Sequence, residues 1–137
     1  MVAKRGATIA IAGHLSGLGL ISSSFALQAD RPRSPVDFVR DVRPIFKARC
    51  ESCHGAQVQT NGFRVDRKAA FFKGGVSGKP AIVPGQSAES RLMKFVEGGM
   101  PVRMPPAGAP LSAAEIGLLR AWIEHGAPWP DSAGDPS

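Results

Sequence analysis

Sulfur is scarce in this chain. It has two cysteines among 137 residues, and both lie in one short stretch, IFKARCESCHGAQ, from Ile45 to Gln57. A structural zinc site takes four nitrogen or sulfur ligands. No third cysteine exists, and His125 is the one further nitrogen donor in the part that we expect to fold. The composition therefore disfavours a structural zinc site.

Strand patterns and internal repeats are almost absent as well. A thioredoxin-like redox protein needs a strand before its Cys-x-x-Cys motif and a βαβ frame around it, whereas a helical pattern precedes the motif here. No set of side chains suited to acid–base catalysis is visible, and Glu51 within the motif is interpreted as an ordinary surface carboxylate. At 137 residues the chain is too short for a multidomain enzyme.

Glycine and proline, by contrast, are plentiful. The chain has 16 glycines and 12 prolines, which predicts short helices joined by long turns. Such a domain has a thin apolar core of its own, and a large apolar cofactor could complete it.

The N-terminal residues are typical of an export signal. Lys4 and Arg5 precede an uncharged run that ends at Ala29, with small residues suited to cleavage after Ala26 or Ala29. A retained membrane anchor is the alternative, since the apolar run could nearly span a bilayer. In either case we expect the remainder to lie in the periplasm or another extracytoplasmic space. The predicted division is 1–29 signal or anchor, 30–130 folded domain and 131–137 disordered tail.

The charge of the exported part is mildly basic. The formal net charge is +6, and without Lys4 and Arg5 the remainder has 15 basic and 11 acidic residues, or +4. The basic residues are dispersed, which disfavours nucleic acid as a partner. A solvated surface is the favoured interpretation of most of them. The alternative is that six of them steer the protein toward acidic docking surfaces of redox partners: Lys47, Arg49, Lys68, Lys73, Lys79 and Arg103.

Three segments have the apolar spacing of helices. The first, residues 34–50, has Ser34 as its predicted N-cap, Asp37 as the acid of a capping box, and Pro44 as the point where the helix kinks or restarts. The second, residues 87–99, is capped by Ser87 or Ser90 and ends at the glycine pair 98–99.

The third helical segment, residues 111–126, has the clearest pattern. Ser112 and Glu115 form a capping box and Gly126 ends the helix. A shorter helix, residues 66–72, is predicted before the glycine pair 74–75. We therefore predict an all-α fold of three main helices, one short helix and long loops.

Cys50, Cys53 and His54 form Cys-x-x-Cys-His, the attachment motif of c-type haem. Residues three apart on one helical turn face the same way, so two sulfurs can reach two vinyl groups of one porphyrin. The imidazole of His54 then binds the iron, and we expect its Nδ1–H to donate to a backbone carbonyl. The alternative is a small disulfide between the two cysteines.

The resemblance extends well beyond the motif. From about Phe38 to Pro130 the chain resembles the planctomycete-type cytochrome c domain. The landmarks that carry the resemblance are FVRDVRPIF, CESCHG, GFRVD, the glycine pair 74–75, IVPG, SRL, MPP, LSAAEIGLLRAWI and GAPWP. No landmark after the haem motif is specific by itself, but their order and spacing together are.

The resemblance implies a cytochrome c fold with one covalent haem c, in which the first and last helices cross beside the haem. It also implies Met104 as the second axial ligand, and a thioether is a soft ligand that raises the potential. Met100, on the same loop, and His125, at the end of the third helix, are the rival ligands. Met93 is interpreted as core packing.

Two protein ligands leave no iron position for a substrate, which favours an electron carrier over an enzyme. Two alternatives stay open at this point. An iron without a firm second ligand would suit a haem-based ligand sensor or a peroxidase-like protein. The chain could also be the electron-accepting subunit of a separate dehydrogenase.

Overall fold

The computed structural model describes residues 35–133. In that range the chain is helical, with no strand and one isolated bridge between His54 and Gln59, which agrees with the predicted all-α class. The predicted leader, residues 1–29, lies outside the described residues. The helical elements are a π-helical turn Phe38–Val42, α1 Arg43–Arg49, a 3-10 turn Thr60–Gly62, α2 Lys68–Lys73, α3 Arg91–Val96, α4 Ala113–Glu124 and a 3-10 turn Asp131–Ala133.

The first helical segment begins three residues later than predicted. Asp37, and not Ser34, is the N-cap: its Oδ1 accepts a hydrogen bond from the Arg40 N–H at 2.8 Å. Pro35 is not helical. Aspartate is as good a cap as serine, and Asp37 lies directly before the buried Phe38, so the helix begins where its apolar face begins.

Pro44 restarts the helix, as predicted. Before it, the Arg43 N–H donates to the Phe38 carbonyl five residues back, which is π-helical spacing. Pro44 then lies in the first turn of α1, where a missing N–H costs nothing. The chain reaches the cysteine motif through this regular α-helical turn.

The ends of α3 and α4 follow the predicted signals in part. In α4 both halves of the capping box are present: Ser112 Oγ accepts from the Glu115 N–H at 3.2 Å, and Glu115 Oε2 accepts from the Ser112 N–H at 2.7 Å. In α3 the N-cap residue is Ser90, but its hydroxyl makes no cap bond. It donates to Gln86 O at 2.8 Å instead.

An aromatic cluster holds the first and last helical segments together. Trp122 of α4 is fully buried, and its ring centroid lies 5.7 Å from that of Phe38. Phe38 also stacks on Trp129 at 3.9 Å. The Trp122 indole N–H donates to Pro128 O at 2.9 Å, so its one polar group is satisfied. Phe46 and Phe71 complete the cluster.

The predicted disordered tail begins too early. Asp131–Ala133 form a 3-10 turn in which Ala133 is buried. Asp131 Oδ1 lies 2.7 Å from Lys68 Nζ, which links this turn to α2. Burial of Ala133 stabilises the turn, whereas the ion pair is exposed and contributes little. The last four residues lie outside the described range.

None of the helices within residues 35–133 combines the length and the apolar character that a membrane-spanning segment requires.

Candidate cofactor site

The four predicted haem-binding residues line one cavity of ≈ 630 Å³. Cys50, Cys53 and His54 come from the turn that follows α1, and Met104 comes from the loop between α3 and α4. The volume lies within the range of roughly 300–1,000 Å³ that is usual for small-molecule and cofactor sites. Folding therefore brings together residues that are some fifty positions apart in the chain.

Backbone hydrogen bonds shape the cysteine turn. The Cys53 and His54 N–H groups both donate to Cys50 O, at 3.1 and 2.9 Å. Gly55 follows, and a Cβ at that position would lie 2.4 Å from Glu51 O. Only glycine allows this approach. The Cys-x-x-Cys-His-Gly sequence thus forms a closed turn whose side chains share the cavity.

The two thiols have different surroundings. Cys50 is half-buried against the apolar core, and desolvation raises the pKa of its thiol to about 11. Cys53 is exposed. Both are free thiols, so the structure contains no disulfide between them.

The imidazole of His54 has a buried nitrogen without a partner. Its ring packs edge-on against Phe63 with 5.3 Å between centroids. Nδ1 is buried and has no hydrogen bond within the described chain, so the expected bond from Nδ1–H to a backbone carbonyl is not present. The nearby carbonyls are engaged by backbone donors: Cys50 O as above, Cys53 O by Thr60, and His54 O by Val65.

Met104 is seated in the cavity wall by its backbone. Its N–H donates to Phe95 O at 3.1 Å, which fixes the loop to the end of α3, and its side chain packs against the core. The Met104–Pro105 peptide bond is cis. Of the rival ligands, neither Met100 nor His125 lines the cavity. Met93 is buried in the core, as predicted.

His125 has a local partner that accounts for its position. It is the C-cap of α4 and is exposed. Its Nδ1 lies 2.6 Å from Ala121 O. The ring therefore bonds a carbonyl of the last helical turn, which is a common arrangement for histidine at a helix C-terminus.

Arg49 has a role that the sequence analysis did not identify. One of its terminal nitrogens, Nη2, donates to Ala109 O at 2.8 Å and to Pro110 O at 2.7 Å. Its Nε lies 3.6 Å from Glu115 Oε1 at the start of α4. Arg49 therefore joins the end of α1, the loop after Met104 and α4. In the sequence, only its position directly before Cys50 suggested that Arg49 lies near the cofactor site.

The rest of the lining is mostly apolar. Its larger apolar side chains come from the loop after the motif, from α3 and from the segment before α4: Phe63, Val65, Val76, Leu92, Phe95, Val96 and Leu111. In the part of the chain that the structure describes, the lining includes three basic residues, Arg49, Lys79 and Arg91, and no aspartate or glutamate. The cavity thus combines apolar walls, soft sulfur donors, one imidazole and an excess of positive charge.

This donor set fits a covalently attached haem. Imidazole and thioether are the axial ligands of cytochromes c, and His54 and Met104 line the same cavity as the two cysteines. No group of three or more histidine, cysteine, aspartate or glutamate side chains that could hold a metal ion occurs within residues 35–133. The described chain thus offers no competing site of that kind.

Comparison with known proteins gives one finding. Residues 50–108 match the family model described as planctomycete cytochrome C. The matched range begins at Cys50, includes Met104 and ends before α4. No match was found among curated proteins or among solved structures. Over residues 50–108 this chain is therefore similar to the planctomycete cytochromes c, and the resemblance predicted from its sequence is confirmed over that range.

Proposed function

We propose that this protein is a c-type cytochrome with a small cytochrome c fold, which binds one haem c covalently and transfers single electrons outside the cytoplasm. One observation carries the proposal: Cys50, Cys53, His54 and Met104 all line the same apolar cavity. The family match over residues 50–108 supports a haem-binding, electron-transfer role.

Each of these residues has a distinct task. Cys50 and Cys53 would hold the haem through two thioether bonds. His54 would bind its iron through an imidazole nitrogen, and Met104 would bind it through the thioether sulfur. When bound, the haem iron supplies the one-electron chemistry. The apolar walls keep water from the ligands, which favours the less charged reduced state.

Electron transfer is favoured over catalysis because the cavity lacks proton-transfer groups. Within residues 35–133, its lining has no aspartate or glutamate, and His54 is the only histidine there. A histidine bound to iron is not available as a general base. A haem-based sensor or a peroxidase-like protein would need an open iron position, so Met104 is the residue that separates these functions.

The proposal is tested by mass and spectrum. The full chain, made in a host with haem-attachment machinery, is expected to gain the mass of one haem over the processed polypeptide. Loss of residues 1–26 or 1–29 would support export with cleavage, whereas the full mass would support a retained anchor. A colourless product with unmodified cysteines would overturn the haem proposal. Rapid binding of carbon monoxide by the reduced protein would favour the open-site alternative.

We also propose that redox partners dock through acidic surfaces. Of the six basic residues that the sequence indicates, three are engaged within the protein: Arg49, Lys68 with Asp131, and Arg103, whose Nη2 donates to Glu97 O at 3.3 Å. The other three have exposed side chains without an ion pair among the described residues: Lys47, Lys73 and Lys79.

The docking proposal predicts a salt-dependent electron-transfer rate. Lys47→Gln and Lys73→Gln are each expected to slow electron transfer at low ionic strength and to flatten the salt dependence, because they remove steering charge. Lys94→Gln, at a lysine 3.5 Å from Glu89, is the control. Rates that are independent of salt would overturn docking by charge. The same measurement with a purified dehydrogenase addresses the alternative of an electron-accepting subunit.

A further inference from the structure

The cavity has basic side chains that its own residues leave without acidic partners. Among residues 35–133, three basic residues and no acidic residue line it. Arg49 is already engaged by two carbonyls and by Glu115. The cavity-lining cations without an acidic partner within residues 35–133 are therefore Lys79 and Arg91. A partly enclosed, mostly apolar site with two uncompensated cations is suited to a ligand that is itself apolar but carries anionic groups.

Arg91 is the more buried of the two. It is the first residue of α3, is half-buried, and its guanidinium carbon lies 5.7 Å from the centroid of the Phe95 ring. The flat face of the guanidinium packs over the Phe95 ring, so its N–H donors, which lie at the edge of the group, stay available for another partner. The two acids nearest to it along the chain pair with other cations: Glu89 with Lys94, and Glu97 with Arg120. Arg91 therefore has no carboxylate partner within residues 35–133.

Lys79 belongs to the same wall of the cavity. The Leu92 N–H donates to Ala81 O at 2.8 Å, which ties the segment containing Lys79 to the first turn of α3. Gly74 lets this segment approach closely, because a Cβ there would lie 2.2 Å from Lys79 O. The two segments that carry these cations are thus joined by a backbone hydrogen bond, independently of any ligand.

We infer that Arg91, assisted by Lys79, binds the two propionate carboxylates of the covalent haem. This inference rests on the proposed function. A guanidinium presents a planar fork of donors that matches a carboxylate, and a half-buried cation needs an anion more than an exposed one does. Arg91 and Lys79 are the cavity-lining cations that have no other polar side-chain partner in the described chain.

The test compares Arg91→Gln with Arg43→Gln in the haem-loaded protein. Arg43 is an exposed arginine of α1 that does not line the cavity. Loss of the Arg91 cation is expected to lower the equilibrium constant for reduction at pH 7 by up to about tenfold, which is about 59 mV for a one-electron couple. It is also expected to introduce a pH dependence of the potential between roughly pH 5 and 8, because an unpaired carboxylate has a higher pKa than one beside a cation.

Haem content is measured first, so that failure of the haem-binding proposal can be distinguished from failure of the propionate assignment. If the wild-type chain carries no haem, the proposed function fails. If haem is present and Arg91→Gln has the same potential and pH profile as Arg43→Gln, the propionate assignment is overturned. Should Arg91→Gln not assemble, Arg91→Lys decides: assembly restored by the retained charge supports the assignment, and an equal loss overturns it. Lys79→Gln is expected to give a smaller shift in the same direction.

Discussion

At the scale of single residues, Met104 and Met100 differ in place rather than in chemistry. Both lie between α3 and α4, and each precedes a proline. Only Met104 lines the cavity, with its backbone bonded to Phe95 O. From the sequence alone, only the family resemblance favoured Met104 over Met100 as the iron ligand. The structure separates them because the loop turns one side chain inward.

Replacement of Met104 is therefore expected to change the iron site, while replacement of Met100 is not. In Met104→Leu, the weak far-red absorbance band of methionine-bound ferric haem should disappear, and the reduced protein should bind carbon monoxide. Met100→Leu, of the same size change, is the control and should keep the band. Covalent attachment through Cys50 and Cys53 should survive in both. If Met100→Leu alone loses the band, the ligand assignment is wrong.

The cysteine motif shows the limit of prediction at this scale. Cys50, Cys53 and His54 are contiguous, so a single turn places them together and the sequence predicts their grouping. Their surroundings were not predictable: Cys50 is half-buried, with the pKa of its thiol raised to about 11, and Nδ1 of His54 lacks the expected carbonyl partner. Burial and bonding at these atoms come from segments far along the chain.

At the scale of elements, Arg49 joins three segments. It extends from the end of α1 to two carbonyls of the loop after Met104 and to Glu115 of the α4 capping box. The hydrogen bond from the Ser112 N–H is the main cause that lowers the pKa of the Glu115 carboxyl, and the charge of Arg49 lowers this pKa further. The sequence predicted the capping box, whose members lie within four residues. It did not predict the link to Arg49, which spans about sixty residues.

Loss of Arg49 is expected to loosen the Met104 loop. Arg49→Ala should lower the free energy of unfolding by roughly 2 kcal/mol, because two hydrogen bonds to a charged donor are lost. Amide exchange of Gly108 and Ala109 should become faster. As pH is raised, the far-red band of methionine-bound haem should also be lost at a lower pH than in the wild type. Arg43→Ala, at an exposed residue of α1, is the control. Unchanged exchange in the loop would contradict a positioning role.

The helix boundaries illustrate the same division between local and distant causes. The capping box of α4, the restart at Pro44 and the end of α2 at Gly74 agree with the sequence. Each depends on neighbours within a few residues. The first N-cap is Asp37 rather than Ser34, because two good capping residues compete and the buried position of Phe38 selects the nearer one.

At the scale of the whole molecule, hydrogen-bonded carboxylates make stability depend on pH. Hydrogen bonds to Arg64, Ser87 and Lys68 lower the pKa of three carboxyls: Asp66, Glu124 and Asp131 respectively. A lowered pKa in the folded state means that the stabilising contribution is present above the ordinary value and is lost as pH falls through the folded value.

Acid is therefore expected to destabilise the protein. The melting temperature should vary little between pH 5 and 8 and should fall below about pH 4. Asp66→Asn removes the carboxylate of the least exposed ion pair, that with Arg64. This variant should be less stable than the wild type at pH 7 and should lose less stability on acidification. Glu89→Gln, at an exposed carboxylate, is the control. A wild-type melting temperature that is unchanged from pH 7 to pH 3 would contradict this account.

The sequence by itself determined the helical class, the cysteine turn and most helix ends, because each depends on contacts within one or two turns of chain. Tertiary structure alone decided that Met104 and not Met100 lines the cavity, that Arg49 joins three segments, and that Arg91 and Lys79 share a wall without acidic partners. These features depend on loops that meet only after α1, α3 and α4 have packed. Local sequence patterns do not specify contacts between segments that are far apart in the chain.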